Sequence, residues 1–464
     1  PADTKPDVFL DAQGRFVPER SQSSGLGVGT PGTVAGLALA HARYGSGRFT
    51  LAQLISPAVA LARDGVEVDD DLADSLEQAS GRLGRHAASR AIFFRDATTP
   101  LQRGDRLTQP DLARTLQAIA DGGPAAFYGG PIAEKLVAAV RAAGGRMTTA
   151  DLAAYRAVER APLVGTFRGR EIHVMPPPSS GGVHVLQILN ILEPFPLAAW
   201  GRDAARTIHM LAESMKRAYA DRAEHLGDPD FVRTPAGGLI SKDYAATLRA
   251  QISPDKARSA EEIGPGDPGP YESDQTTHYS VVDAAGNAVS NTYTLNFSYG
   301  LGLVADGLGF LLNNELDDFA ARREAFNAYG MLGGEANAPG PRKRPLSSMS
   351  PTIVLRDGEV ELVTGSPGGS RIITIVLQTL LDVLEHGMNV AESAAAVRVH
   401  HQWKPDELRV ERGLSPDTIR LLEGRGHAVR TQPTIGSVQT IQRGGGWLQG
   451  ASDPRQRGGG AIGY

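Results

Sequence analysis

Apolar residues recur at helical spacing through most of the first half of the chain. Residues 50–64, TLAQLISPAVALARD, carry such a stripe behind Thr50, although Pro57 interrupts it. Residues 108–121 open at Thr108, a candidate N-cap, and end before Gly122 and Gly123. The pattern returns in PIAEKLVAAVRAAGG (131–145), which closes on a glycine pair. In TTADLAAY (148–155), Thr148 and Asp151 stand in a capping-box arrangement. Residues 205–226 form the longest helical pattern, with Ile208, Leu211, Met215 and Tyr219 on one stripe. Strand signals are sparser in this half. REIHVMP (170–176) is one, and the stiff segment PPPSSGG (176–182) follows it.

The polar stretch SPDKARSAEEIGPGDPGPYESDQ (253–275) reads as a surface loop, and after Gln275 the texture changes. THYSVVD alternates, AAGN is a turn, and AVSNTYTLN alternates again, which predicts a hairpin. SPTIVLRDGEVELVTG (350–365) predicts a second hairpin with Asp-Gly at its turn. RIITIVLQTLLDVLEHG (371–387) reads as an amphipathic helix, and SVQTIQRGGGWLQGAS (437–452) as a third hairpin. Helices followed by a block of antiparallel hairpins predict an α+β fold, with helices covering sheets.

Composition narrows the chemistry. Forty-seven Lys and Arg against 52 Asp and Glu leave a net charge of −5, which excludes a globally basic nucleic-acid footprint. The chain has no cysteine, so disulfides, thiol nucleophiles and cysteine metal sites are excluded. No apolar run reaches the roughly 18 residues of a membrane span. Gly27, Gly29 and Gly32 match the dinucleotide spacing GxGxxG, but Pro31 sits inside it and no strand feeds it, so a turn into the helix TVAGLALAHARY is expected. His400 and His401 are adjacent, point apart on a regular element and make a poor metal pair.

Five short stretches carry the candidate chemistry: QTTHYSVVD (275–283), NTYTLNFSYG (291–300), NNELDDF (313–319), RPLSSMSP (344–351) and TGSPGGSR (364–371). An internal threonine is a poor nucleophile. A threonine at a new N-terminus is not, because its own α-amine, with a pKa of about 7.7–8.0, accepts the hydroxyl proton. A polar loop before Thr276 and a strand beginning at it suit a cut between Gln275 and Thr276. Gly368 and Gly369 stand before a helix, where unpaired N–H groups lay out an oxyanion hole. Ser347 and Ser348 offer hydroxyls to a carboxylate, and the acids of NNELDDF can hold a substrate ammonium.

Together these stretches resemble one family, the gamma-glutamyltranspeptidases, which are N-terminal nucleophile hydrolases that cut themselves into two subunits. PPPSSGG, YADR (219–222), LGDPDFV (226–232), RPLSSMSPTIV (344–354), TGSPGGSRI (364–372), HHQWKPDELRVE (400–411) and ASDPR (451–455) carry the resemblance from Pro1 to Tyr464. It implies that Thr276 is the nucleophile and that Thr294 supports it. Asn296, Glu315 and Asp318 match residues holding the α-amino end of the gamma-glutamyl group, and Ser347 and Ser348 match those binding its α-carboxylate. Gly368 and Gly369 match the oxyanion hole, and Tyr329 matches the aromatic lid of members that have one.

The implied fold is a four-layer αββα sandwich. Residues 1–275 would be the large-subunit portion and 276–464 the small subunit, interwoven in one domain. The implied substrates are glutathione and other gamma-glutamyl amides, with water or an amino acid as acceptor and no cofactor. The implied compartment is periplasmic or secreted. An arginine that binds the substrate carboxylate lies, in the family, just before the segment that PADTKPDVFLD resembles, and Arg15 and Arg20 do not match it. The chain is therefore expected to lack an N-terminal segment. A glutaryl or cephalosporin-type acylase of the same fold and an unprocessed, inactive homologue with a binding role are the alternatives.

Overall fold

The computed structural model describes residues 1–267, 277–322 and 326–463. The chain divides into two compact units, each assembled from several stretches. The first comprises Pro1–Arg160, Thr294–Asp317 and Pro339–Arg342, and the second Ala161–Tyr293, Asp318–Ala338 and Lys343–Tyr464.

The first unit is helical. Helix Leu51–Asp64 opens on a capping box between Thr50 and Gln53 and runs through Pro57 instead of breaking there. Pro57 has no N–H for the Gln53 carbonyl, and the Ser56 hydroxyl donates to that oxygen at 2.9 Å instead. The predicted box between Thr148 and Asp151 is present. Thr108 does not cap the next helix: Pro110–Gly122 starts from Gln109, with no side-chain cap. Helix Gly130–Ala142 buries Ile132, Leu136 and Val140 against Leu301, Leu308 and Leu312 of the later stretch. Gly25–Gly27 forms a short turn ahead of helix Thr33–Tyr44, as the sequence predicts.

The second unit is built on a six-stranded sheet. Its strands are β1 (Leu163–Phe167), β2 (Arg170–Val174), β5 (Thr352–Arg356), β6 (Glu359–Gly365), β7 (Gln439–Gly444) and β8 (Trp447–Ser452), and a separate hairpin supplies β3 (Thr277–Val282) and β4 (Ala288–Tyr293). The sheet order is β8-β7-β6-β5-β2-β1, all antiparallel. Hairpin chemistry is as read: Asp357 (φ 52°) and Gly358 (φ 82°) make the β5–β6 turn, and Gly445 and Gly446 the β7–β8 turn.

Helices α1 (Gly181–Leu192) and α3 (Ile372–Leu384) pack on the sheet, and α2 (Ala205–His225) packs on α1 within the same apolar core. Alternation along β6 separates its two faces. Leu362 joins the helical core, whereas Gly365 meets His278 of the β3–β4 hairpin.

The α3 segment is not amphipathic in its setting, since every residue from Ile372 to Leu384 is buried. The helix lies between the sheet and other helices, so no face reaches solvent. α2 is buried nearly all round as well, and its interior charges are paired. Glu213 accepts from Lys216 at 3.0 Å and from Arg217 at 2.9 Å. α1 has no counterpart in the sequence reading; it is buried at all twelve positions, its polar stripe of His184, Gln187 and Asn190 included.

Candidate functional site

Gln275 and Thr276 lie outside the described residues. The chain on either side of them is held closely. Upstream, the Gly266 N–H donates to Asp221 at 2.7 Å, and the Gly266 carbonyl accepts from His225 at 2.7 Å. A Cβ at Gly266 would stand 1.9 Å from the Tyr244 hydroxyl, so only glycine fits. Downstream, β3 begins at Thr277. His278 sits under the hairpin, with its ring nitrogens 2.9 Å from the Thr292 hydroxyl and 3.0 Å from the Ser280 hydroxyl. Burial pushes its pKa down to about 3, so the ring is neutral at working pH. The hairpin is tied to the sheet through Ser280 to the Gln439 carbonyl (3.1 Å) and Ser290 to the Thr364 carbonyl (3.0 Å).

Three residues beyond Gly365 the chain turns. Gly368 (φ 138°) and Gly369 (φ 69°) adopt backbone conformations open to glycine, and a short 3-10 turn, Gly369–Arg371, leads into α3. Among the described residues, neither the Gly368 nor the Gly369 N–H donates to a protein acceptor. Gly368 packs tightly: a Cβ there would lie 3.1 Å from Ile375.

The serine loop is assembled by a segment whose role the sequence reading did not assign. The Ser347 N–H donates to the Pro178 carbonyl (2.9 Å), and the Ser180 N–H donates to the Ser347 carbonyl (2.8 Å). The Ser179 hydroxyl lies 2.7 Å from the Met349 carbonyl. Gly181 permits the approach, since a Cβ there would meet the Ser350 hydroxyl at 2.2 Å. PPPSSGG and RPLSSMSP thus form one loop pair, 168 residues apart at Ser179 and Ser347. The Ser347 hydroxyl accepts from the Met349 N–H at 3.2 Å. The Ser348 hydroxyl is fully buried and has no protein partner among the described residues. A buried hydroxyl left in that state is uncommon.

Asp318 is buried, and its carbonyl accepts from the Asn337 side chain at 2.7 Å. It lines a small cavity together with Arg222, Asn337 and Leu346, the last immediately before Ser347. Tyr329 is half-buried, and its carbonyl accepts from Gln402.

Thr294, Asn296 and Glu315 belong to the first unit. The Thr294 hydroxyl accepts from the Asn296 N–H at 2.7 Å, which stabilises the left-handed backbone of Asn296 (φ 68°). The Asn296 amide donates to the Asn314 carbonyl at 3.0 Å, and its own side-chain oxygen, buried, has no partner among the described residues. Asn313 caps the Glu315 N–H (3.0 Å) and pairs with both backbone groups of Gly29 (2.9 and 3.0 Å). Gly29, dismissed as part of a nucleotide motif, therefore has a role: a Cβ there would press on Glu315 at 3.3 Å.

His400 and His401 do face different partners. His400 bonds Thr374 and Gln402, and His401 lies 3.2 Å from Asp406. Among the described residues no cluster of three or more His, Cys, Asp or Glu could hold a metal ion, and no helix is long and apolar enough to cross a membrane.

Similarity to known proteins shows the family. The chain is 53% identical, over 98% of its length and 78% of the relative's, to a glutathione hydrolase proenzyme of Escherichia coli K12. It is 45% identical to the glutathione hydrolase proenzyme of Pseudomonas sp. A14, with 99% and 81% covered. The acylase ACY 1 proenzyme of Pseudomonas sp. SE83 is more distant, at 37% over 88% of this chain and 70% of the relative. Among solved structures, cephalosporin acylase from Bacillus halodurans superposes with a TM-score of 0.84 at 24% identity, covering 98% of this chain and 82% of that one, which establishes a shared mixed α/β fold. The sequence pattern of the Gamma-glutamyltranspeptidase family matches residues 1–463, and the chain belongs to that family.

Proposed function

We propose that the chain is a glutathione hydrolase that transfers the gamma-glutamyl group of glutathione and related amides to water or an amino acid acceptor. Cleavage between Gln275 and Thr276 gives a large portion, 1–275, and a small subunit, 276–464. In the family's four-layer αββα arrangement, the β3–β4 hairpin belongs to the second sheet. The compartment is periplasmic or secreted.

One observation carries the reading. The strand opening at Thr277 packs through His278 onto Gly365 of β6, and β6 leads directly into the Gly368–Gly369 turn. The reading sets the nucleophile at the head of β3 and its oxyanion donors, the two glycine N–H groups, on the element that the hairpin packs against. The Thr276 hydroxyl attacks the gamma-carbonyl, and its α-amine takes the proton and passes it to the leaving amine. The glycine N–H groups hold the oxyanion. Thr294 supports the nucleophile. Ser347 and Ser348 receive the α-carboxylate, Asn296, Glu315 and Asp318 receive the α-ammonium, and Tyr329 covers the site. No cofactor takes part.

The test is chemical. Thr276→Ala should remain one chain, and the small fragment of the wild type should begin TTHYS. Asp318→Ala should cost about 2–5 kcal/mol in kcat/KM on a gamma-glutamyl anilide, as truncating one partner of a buried charge pair does. The loss should be small on a glutaryl anilide, which lacks the amine. Equal loss on both substrates refutes the ammonium assignment, and preference for the glutaryl anilide makes the chain an acylase.

A further inference from the structure

We infer that Gln402 is a positioning residue that joins the glycine turn to the Tyr329 segment; this rests on the roles proposed above for Gly368, Gly369 and Tyr329.

Gln402 is almost fully buried, within the run HHQWKPDELRVE. Its side-chain nitrogen lies 3.2 Å from the Tyr329 carbonyl, 3.1 Å from the Gly330 carbonyl and 3.4 Å from the Lys404 carbonyl. Carbonyls only accept, so the NH₂ end of the amide must face them. The amide oxygen then faces the Ser370 hydroxyl and His400 Nε2, each at 2.9 Å. Because that oxygen only accepts, both partners must donate. His400 therefore carries its proton on Nε2.

His400 has one ring proton to give. It is buried completely, and burial pushes its pKa down to about 3, so the ring is neutral. Nδ1 is then a bare acceptor, 2.9 Å from the Thr374 hydroxyl, whose single proton it shares with the Arg371 carbonyl, also at 2.9 Å. Thr374 stands in the first turn of α3 and Ser370 in the turn between Gly369 and α3. The Ser370 carbonyl is held from the other side by the Tyr219 hydroxyl. One amide thus fixes three things at once: Ser370 directly, the start of α3 through His400, and the backbone at Tyr329 and Gly330. Apolar packing could hold these elements together, but it would not fix their orientation.

The two ends of the amide separate by substitution. Gln402→Glu keeps the shape and the acceptor toward Ser370 and His400, and its carboxylate has no hydrogen for the Tyr329 and Gly330 carbonyls. Ser370→Ala removes the link to the glycine turn and leaves those carbonyls engaged. On a gamma-glutamyl anilide, Gln402→Glu should raise KM roughly tenfold with kcat little changed, a loss of the size of one or two hydrogen bonds. Ser370→Ala should lower kcat by a similar factor with KM little changed. Gln402→Met, which removes both ends, should show both defects. Processing into two bands and an unchanged melting profile show that each variant folds.

Identical kinetic signatures for the Glu and Ala variants, or wild-type kinetics in both, overturn the inference. Gly368→Ala distinguishes the two layers of argument. Wild-type kcat in that variant removes the oxyanion reading itself. Loss of kcat there, with Gln402 and Ser370 variants unaffected, removes only the role of Gln402.

Discussion

Gly365→Ala places one methyl group where the structure leaves no room. The added Cβ would stand 2.3 Å from both Cε1 and Nδ1 of His278, against an ordinary contact of 3.4–4 Å. The ring cannot swing away, since Thr292 and Ser280 hold its two nitrogens. The hairpin must therefore lift from β6 by about 1 Å, and overpacking of this kind costs about 1–3 kcal/mol.

The functional cost is larger than the stability cost. β3 starts at Thr277, so a lift at His278 moves the chain next to Thr276 relative to the turn at Gly368. A misplacement of about 1 Å costs on the order of 10²-fold in rate. Conversion of precursor to two chains, followed by denaturing gel after a pulse of synthesis, should slow by that order. Stability is read separately by urea unfolding in a Thr276→Ala background, where no cleavage intervenes. His278→Ala should rescue Gly365→Ala in part, giving a favourable coupling energy in the double-mutant cycle. Gly444→Ala, with nothing within 4 Å of its Cβ, is the neutral control. Processing of Gly365→Ala at the wild-type rate with wild-type stability would refute the packing argument.

Two further predictions concern stability. Arg398 is fully buried, 2.5 Å from Asp453 and bonded to the carbonyls of Ala394 (3.1 Å) and Ile435 (3.2 Å); Arg398→Met leaves Asp453 to Arg455 at 3.1 Å but strips those buried carbonyls of their donor, and should cost about 1–3 kcal/mol in urea unfolding. Burial holds His184, His278 and His400 at pKa about 3 and His427 at about 2, below the unfolded value of 6.5. Between those limits the unfolded chain binds more protons, so stability is full above pH 6.5 and falls as the pH drops toward 3. Urea midpoints at pH 7 and pH 5 measure this, and equal midpoints would contradict neutral burial of the histidines.

Local chemistry was the legible part of the fold. Asp357-Gly358 and the Gly445-Gly446 pair announce their turns, and Thr50 and Thr148 announce their helix starts, because each signal acts within a few residues. The helix Gly181–Leu192 has no counterpart in that reading, although His184, Gln187 and Asn190 recur at helical spacing; the glycine pair that opens it reads as the end of the stiff PPPSSGG segment. Pro57 misled because the repair, a hydroxyl one residue earlier, is not part of a helix-breaking rule. In the site, Gly368 and Gly369 could be singled out from their place before a helix. The dependence of Ser347 on Pro178, Ser179 and Ser180 could not, as contacts across more than 160 residues leave no local trace. Gly29 was read for its spacing, whereas its value lies in closeness to Asn313 and Glu315.

The order of the large sheet has a consequence for a chain cut after residue 275. β1 and β2 precede the cut and β5 to β8 follow it, and β2 and β5 are neighbours paired from Glu171–Leu355 to Val174–Thr352. The helical core is shared in the same way, with α1 and α2 before the cut and α3 after it. Breaking the peptide bond removes a tether without removing a contact. The two fragments would then leave each other only by tearing a ladder from the middle of a sheet and opening the core behind it. Each would carry away a raw edge and an uncovered apolar face. Such a molecule behaves as one cooperative body made of two chains: it unfolds before it dissociates, and its parts made separately would have to find each other before either could fold.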